Sequence, residues 1–155
     1  CVYRVGSGRD QHYYFGTSGD DGATWTKPRR MDDQWSVEPQ LVCLDNGALL
    51  LTGGRPGINL WVSPDGTGET WHHVSLAAHH NEDFADASLH YADECVTAAS
   101  PGDPAHSTSY TCMKALSADE AIISYDRLGN GWAGAPGPNG PEDVVFTVRV
   151  QVLKK

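Results

Sequence analysis

The chain has 155 residues, with 20 acidic against 11 basic side chains and a formal charge of −9, so it repels polyphosphate and offers no basic stripe for a nucleic acid to neutralise. Apolar residues make up 39%, mean hydropathy is −0.42, and no apolar run approaches the roughly 20 residues that span a bilayer, which sets aside disorder and membrane insertion together. Seventeen Gly and nine Pro, set between short runs rich in Val, Leu, Ile, Tyr and Trp, point to an all-β domain of short strands and turns.

The opening CVYRVGSG lacks the charged and apolar regions of a signal peptide, so any signal lies upstream of residue 1. VGSG reads as a turn; without a following helix and lysine it is no phosphate loop. YYFGT (13–17) is a short strand leading into SGDDGATW (18–25). LVCLDNGALLLTGGR (41–55) is a hairpin that turns at Asp45-Asn46-Gly47. NLWV (59–62) leads into SPDGTGETW (63–71), and His72 and His73 continue onto a partly exposed outer strand.

The polar stretch 77–108 gathers His79, His80, Glu82, Asp83, Asp86 and His90 with no metal-binding spacing, and reads as a solvated surface loop. MKALSADEAIISYDR (113–127) is a second hairpin, turning at Ser117-Ala118-Asp119. GNGWAGAPGPNGP (129–141) is an insertion loop, and VVFTVRVQVL (144–153) is the last strand.

Cys1, Cys43, Cys95 and Cys112 form no CxxC pair, so neither a cysteine-built metal site nor any cofactor is expected. A disulfide between Cys95 and Cys112 could tie down the segment between them, and Cys43, inside an apolar run, reads as a buried core residue. No N-x-S/T sequon is present.

Two repeats organise these elements. Trp25 and Trp71 end the two Ser-x-Asp segments 46 residues apart, and the hairpin 41–55 lies without gaps on 113–127 at an offset of 72. The order of strand pairs is that of four-stranded antiparallel blades in a β-propeller, about 2.5 of them where complete propellers have ~4 to 8. The expected division is a half blade over 1–37, a full blade over 38–76, a connecting loop over 77–108 and a last blade over 109–155. The remaining blades would come from the same or another chain. The last blade lacks an outer strand, as expected if a distant N-terminal strand closes the ring and residue 155 lies at or near the natural C-terminus.

In the first turn Asp20 can accept from backbone N–H groups of its own turn, Gly22 can take positive φ, and Ser18, Thr24 and Trp25 complete the pattern. Ser63, Asp65, Gly68, Thr70 and Trp71 repeat these roles with one extra residue. The pattern S-x-D-x-G-x-T-W resembles the Asp box, or BNR repeat, of the sialidase superfamily. That resemblance implies a six-bladed propeller of which this chain is the C-terminal half, and a structural role for both Asp residues.

The 72-residue offset also relates Glu38 to Tyr110, each just before an innermost strand, so a carboxylate and a phenol converge on one face of the ring. Sialidases are the tyrosine-nucleophile exception among glycosidases, because a substrate carboxylate at the anomeric centre repels an anionic nucleophile. SVEPQLVCLDNGALLLTGGR resembles the sialidase segment that holds the catalytic Glu and a carboxylate-binding arginine, and STSYTCMKALSADEAIISYDR the segment that begins with the nucleophilic Tyr. The resemblance implies Glu38 as base, Tyr110 as nucleophile and Arg55 as a carboxylate clamp; in a propeller that binds sugar without turnover, Tyr110, Trp35 and Arg55 could form a sugar platform.

Two departures stand out: no arginine lies between Arg55 and Arg127, and the Tyr-acid pair is Tyr125-Asp126 where the family commonly has Tyr-Glu. Arg127, at the repeat position of Arg55, reads as a structural ion-pair partner. The function implied is a sialidase-like propeller that binds or cleaves glycans or glycoconjugates outside the cell or in the secretory pathway. The alternative is an inactive propeller serving as a structural or protein-interaction module in an extracellular assembly.

Overall fold

A computed structural model describes residues 1–5, 12–99, 107–127, 135–137, 139–142 and 144–153. Strands β1 (Val2–Arg4), β2 (His12–Phe15) and β3 (Arg29–Trp35) form one antiparallel sheet in that order. Strands β4 (Val37–Cys43), β5 (Leu49–Gly54), β6 (Ile58–Ser63) and β7 (His72–Ser75) form a second, again in sequence order. Helices α1 (Leu76–Asp83) and α2 (Asp93–Val96) flank a short 3-10 turn at Ala87–Leu89. The third sheet takes β8 (Thr111–Ala115) and β9 (Glu120–Arg127) with β12 (Val144–Gln151) in the order β12-β9-β8; β10 (Ala135–Gly137) and β11 (Gly140–Glu142) pair separately. The fold is all-β in class, as expected.

The 72-residue repeat holds to the residue in the ladders. Leu41 faces Leu51 and Cys43 faces Leu49 in the first hairpin, while Met113 faces Ile123 and Ala115 faces Ala121 in the second. Each turn is closed locally. Gly47 at φ 85° donates to Leu44 O at 2.8 Å, and Asn46 Oδ1 accepts from the Ala48 amide at 2.9 Å.

The middle sheet is buried on both faces, and its sequence reads that way. Along β5 and β6, Leu50 and Leu60 enter a core with Met113, Ala121, Ile123 and Phe146 of the third sheet. Their neighbours Leu51 and Trp61 point the other way, into an aromatic core with Tyr13, Phe15, Met31 and Trp35 of the first sheet. Hence the near-continuous apolar runs LLL and NLWV. In contrast β9 alternates strictly between buried and half-buried positions, because only one face of the third sheet is covered among the described residues.

Four expectations need correction. The first sheet has three strands rather than an outer pair, because β1 joins β2 in register from Val2↔Phe15 to Arg4↔Tyr13. The connecting segment is partly helical, α1 being started by Ser75, whose side chain accepts from the Ala78 amide at 3.2 Å. His80 is not solvated surface: it is 1% exposed, stacked on Phe84 at 4.3 Å and edge-on to Phe146 at 4.5 Å. The insertion loop contains the β10–β11 hairpin; residues 128–134 lie outside the described residues.

The two Ser-x-Asp turns share a skeleton and differ in one partner. In the first, Asp20 Oδ1 accepts from Thr24 N at 2.8 Å and from Ser18 Oγ at 2.8 Å, and Asp20 Oδ2 accepts from the Thr24 hydroxyl at 2.7 Å. Those bonds, led by Thr24's, hold the Asp20 carboxyl at about 2. In the second, Asp65 takes its amide and hydroxyl bonds from Thr67, two residues on, so Thr67 and not Thr70 fills the threonine role. The extra residue moves Thr70 beyond that reach. Both indoles fold back on their own turns, Trp25 Nε1 donating to Gly22 O at 3.0 Å and Trp71 Nε1 to Gly68 O at 2.9 Å. Trp25 is therefore 53% exposed rather than packed into its sheet.

Candidate functional site

The site begins where β5 runs out as Gly53-Gly54-Arg55. A Cβ at Gly53 would sit 2.0 Å from Tyr13 Oη, and one at Gly54 would sit 2.0 Å from Thr108 Cγ2, so only glycine lets the first sheet and the segment before β8 approach β5 from its two sides. That segment is seated by the Ser107 hydroxyl donating to Gly57 O and by the buried Thr52–Thr111 hydroxyl pair at 3.0 Å. It delivers Tyr110 to the edge of the third sheet, half exposed.

Arg55 turns back at φ 67°, its amide donating to Gly57 O at 2.8 Å. Its guanidinium donates from Nη1 to Ser109 O at 3.0 Å and lies over the Tyr110 ring, with Cζ 5.4 Å from the centroid. Glu38 arrives by a different device. Val37 faces Gly54 and Gln40 faces Thr52, so two residues, Glu38 and Pro39, sit opposite Gly53 in a β-bulge, and Glu38 takes φ 54°. Ser36, Glu38 and Arg55 are three of the four described non-glycine residues at positive φ, a conformation that costs of the order of 1–3 kcal/mol each and clusters at sites that need a re-aimed side chain.

Glu38 and Tyr110 line one open cleft of about 400 Å³, whose walls also carry Gln40, Cys112, Ser124 and Asp126. Of the expected site residues, then, Glu38, Tyr110 and Arg55 are brought together from 55 and 72 positions apart. Trp35 is not with them. It is 7% exposed on the covered face of β3, edge-on to Trp61 at 5.7 Å, where its ring serves the core between two sheets. Glu38 also departs from strict equivalence with Tyr110: it sits inside β4, in the bulge, while Tyr110 precedes β8.

The Cys95–Cys112 disulfide and the burial of Cys43 are not found either. All four thiols are free, Cys95 being buried and Cys112 exposed in the cleft wall, and Cys43 is exposed at the end of β4. Burial raises the Cys95 thiol above its ordinary value. Arg127 is 6% exposed, and its charge is felt at His80, Asp86 and Tyr91.

The sequence marks Asp126 only as the acid of the Tyr125-Asp126 pair, without a role at the site. Its Oδ1 accepts from the Ser109 amide at 2.7 Å and from the Thr108 hydroxyl, and its amide donates to Thr108 Oγ1 at 3.2 Å. The signal that could have found it is the same offset: Asp126 stands at the repeat position of Gly54. Among the described residues no three His, Cys, Asp or Glu side chains gather as a metal ion would need, and no helix is long and apolar enough to cross a membrane. Comparison with protein-family models, curated proteins and solved structures finds no match for this chain.

Proposed function

We propose that the cleft between Glu38 and Tyr110 is a glycan site of sialidase type, taking a sugar that carries a carboxylate at its anomeric carbon. The observation that carries this reading is the convergence of a carboxylate, a phenol and an arginine: Glu38 and Tyr110 on one cleft, with the Arg55 guanidinium over the Tyr110 ring. In this reading Tyr110 Oη bonds to the anomeric carbon as the aglycone leaves, Glu38 takes the phenol proton, and water later displaces the tyrosine with retention. An isolated phenol titrates near 10, so a base on the same cleft is what such an attack requires. Arg55 would hold the sugar carboxylate.

The three sheets would be neighbouring blades of a larger ring. The double-sided burial of the middle sheet supports this, since a blade covers its faces only against its neighbours. A fluorogenic aryl α-sialoside tests the chemistry, because its phenolate leaves without an acid catalyst. Turnover that falls at least a hundredfold in Tyr110→Phe is the expected result, and equal, nonzero rates in the two proteins would remove Tyr110 as nucleophile.

A second reading is a non-catalytic, interaction-bearing propeller. It is favoured by one observation: Arg55 already gives Nη1 to Ser109 O and its face to Tyr110, as a structural clamp would. Binding of N-acetylneuraminic acid without turnover would support a lectin-like cleft. Neither binding nor turnover would leave the interaction module.

A further inference from the structure

We propose that Asp126 is the positioning residue for Tyr110. It acts through the Ser109 peptide, which it grips together with Arg55, and the inference rests on reading the cleft as a Tyr110 site. The ladder between β8 and β9 ends at Thr111↔Tyr125; carried one step further, its register sets Tyr110 opposite Asp126. Residues 107–110 lie before β8 and outside any strand, whereas Asp126 belongs to a strand held from both sides, facing Val145 across the β9–β12 ladder. The rigid partner therefore places the irregular one.

Three contacts transmit the placement. Asp126 Oδ1 takes the Ser109 N–H at 2.7 Å, a charge-assisted bond to a backbone amide, and also the Thr108 hydroxyl. The Asp126 amide returns a bond to Thr108 Oγ1 at 3.2 Å. On the other side of the same residue, Arg55 Nη1 donates to Ser109 O at 3.0 Å. One residue is thus held at its N–H by an anion and at its C=O by a cation, and the next residue is Tyr110, whose ring lies under that same cation. Asp126 is itself pinned from behind, Tyr91 Oη donating to its carbonyl at 2.8 Å.

A carboxylate whose Oδ1 serves two donors in this way is needed as an acceptor at one point in space, not as a proton carrier. Asparagine offers an acceptor oxygen in the same place without charge or titratable proton. Alanine offers neither. That difference separates positioning from acid–base work and from nonspecific destabilisation.

The test compares Asp126→Ala and Asp126→Asn in the 155-residue chain. It uses amide exchange at Ser109 relative to Ile123 in the core of β9, together with nuclear Overhauser contacts between the Tyr110 ring and the Arg55 side chain. Asp126→Ala is expected to speed Ser109 exchange about tenfold or more over Ile123, the worth of a charge-assisted bond, and to abolish the ring contact. Asp126→Asn is expected to stay within about threefold of the parent and to keep the contact.

An asparagine variant as impaired as alanine, or an alanine variant with parental exchange and contact, overturns the proposal. If Asp126→Ala does not fold, Thr108→Val, which removes the hydroxyl that bridges Asp126 and the Tyr110 carbonyl but leaves the Asp126–Ser109 bond, should raise Ser109 exchange by about threefold, and no rise overturns the proposal. A parallel titration with N-acetylneuraminic acid keeps the two readings apart. Absence of binding in the parent removes the glycan assignment, while the exchange data still decide the role of Asp126.

Discussion

The end of β5 and the end of β9 stand at the same place in two hairpins whose ladders match residue for residue, yet they solve different problems. At β5 the residues are Gly53, Gly54 and Arg55; at β9 they are Tyr125, Asp126 and Arg127. The first is stripped of side chains because Tyr13 and Thr108 press on it from opposite sides. The second keeps its side chains: Tyr125 packs beside His80, and Asp126 clasps the backbone before β8. The two arginines diverge accordingly, Arg55 turning at φ 67° toward Tyr110 while Arg127 remains in the strand. A shared backbone frame, then, does not give shared chemistry. Which neighbour leans on each strand end decides what that end becomes.

The comparison can be broken most heavily in the strands themselves. Leu51 and Ile123, equivalent in the repeat and both fully buried, serve different cores, and each Leu51→Ala or Ile123→Ala change should cost ~2–5 kcal/mol in urea unfolding. The double variant should come close to the sum of the two, since the cores are separate. Strong non-additivity would mean that the cores behave as one.

Gly54→Ala sharpens it next. A methyl 2.0 Å from Thr108 Cγ2 must displace the segment before β8, costing ~1–3 kcal/mol and loosening the Tyr110–Arg55 contact in the same variant. An unchanged melting curve would show that this segment yields freely.

Acid should then separate the third sheet's surroundings from the rest. His80 Nε2 lies 3.1 Å from Leu89 O, which can only accept, so Nε2 carries the proton and Nδ1 accepts from Tyr125 Oη at 3.2 Å. Burial lowers the His80 pKa below 6.5, opposed by the hydrogen bond to the Leu89 carbonyl and reinforced by the nearby charges of His90, Arg127 and His79. The unfolded chain therefore binds the extra proton first. The associated stability is fully present above pH 6.5 and is lost as pH falls through the folded value. Melting temperature should drop between pH 7.5 and 5, and His80→Phe should reduce that slope. His73, also lowered by burial, acts in the same direction.

The smallest effects distinguish the two Ser-x-Asp turns. Thr67→Ala removes both of Asp65's threonine bonds and should lower the melting temperature slightly, while Thr70→Ala should be neutral. With Asp20 depressed from 3.8 to about 2, the first turn's contribution is present above pH 3.8 and fades as pH falls toward 2, a loss that Asp20→Asn should remove from an acid titration of unfolding.

Much of the frame was legible in the chain because it rests on short-range rules. Gly47 after Asp45-Asn46 calls for a tight turn, and gapless superposition of 41–55 on 113–127 foretells equal register, since strand partners follow from turn length. The pairing of Glu38 with Tyr110 across 72 positions came from the same repeat. What the repeat could not convey is where it fails. The bulge at Glu38-Pro39, the burial of Trp35 and His80, the exposure of Cys43 and the free thiols of Cys95 and Cys112 all depend on which face of a strand or helix meets another element.

By itself, then, the sequence determined the two repeated hairpins, their turns and their matching registers, because alternation and turn chemistry act over a few residues. Only the tertiary structure decided that Asp126 would hold Ser109, that Arg55 would lie over Tyr110 and that Gly53 and Gly54 would stand between two packed neighbours. Such contacts arise from the stacking of one sheet on the next. Side chains distant along the chain meet there through the geometry of close packing, which no local pattern encodes.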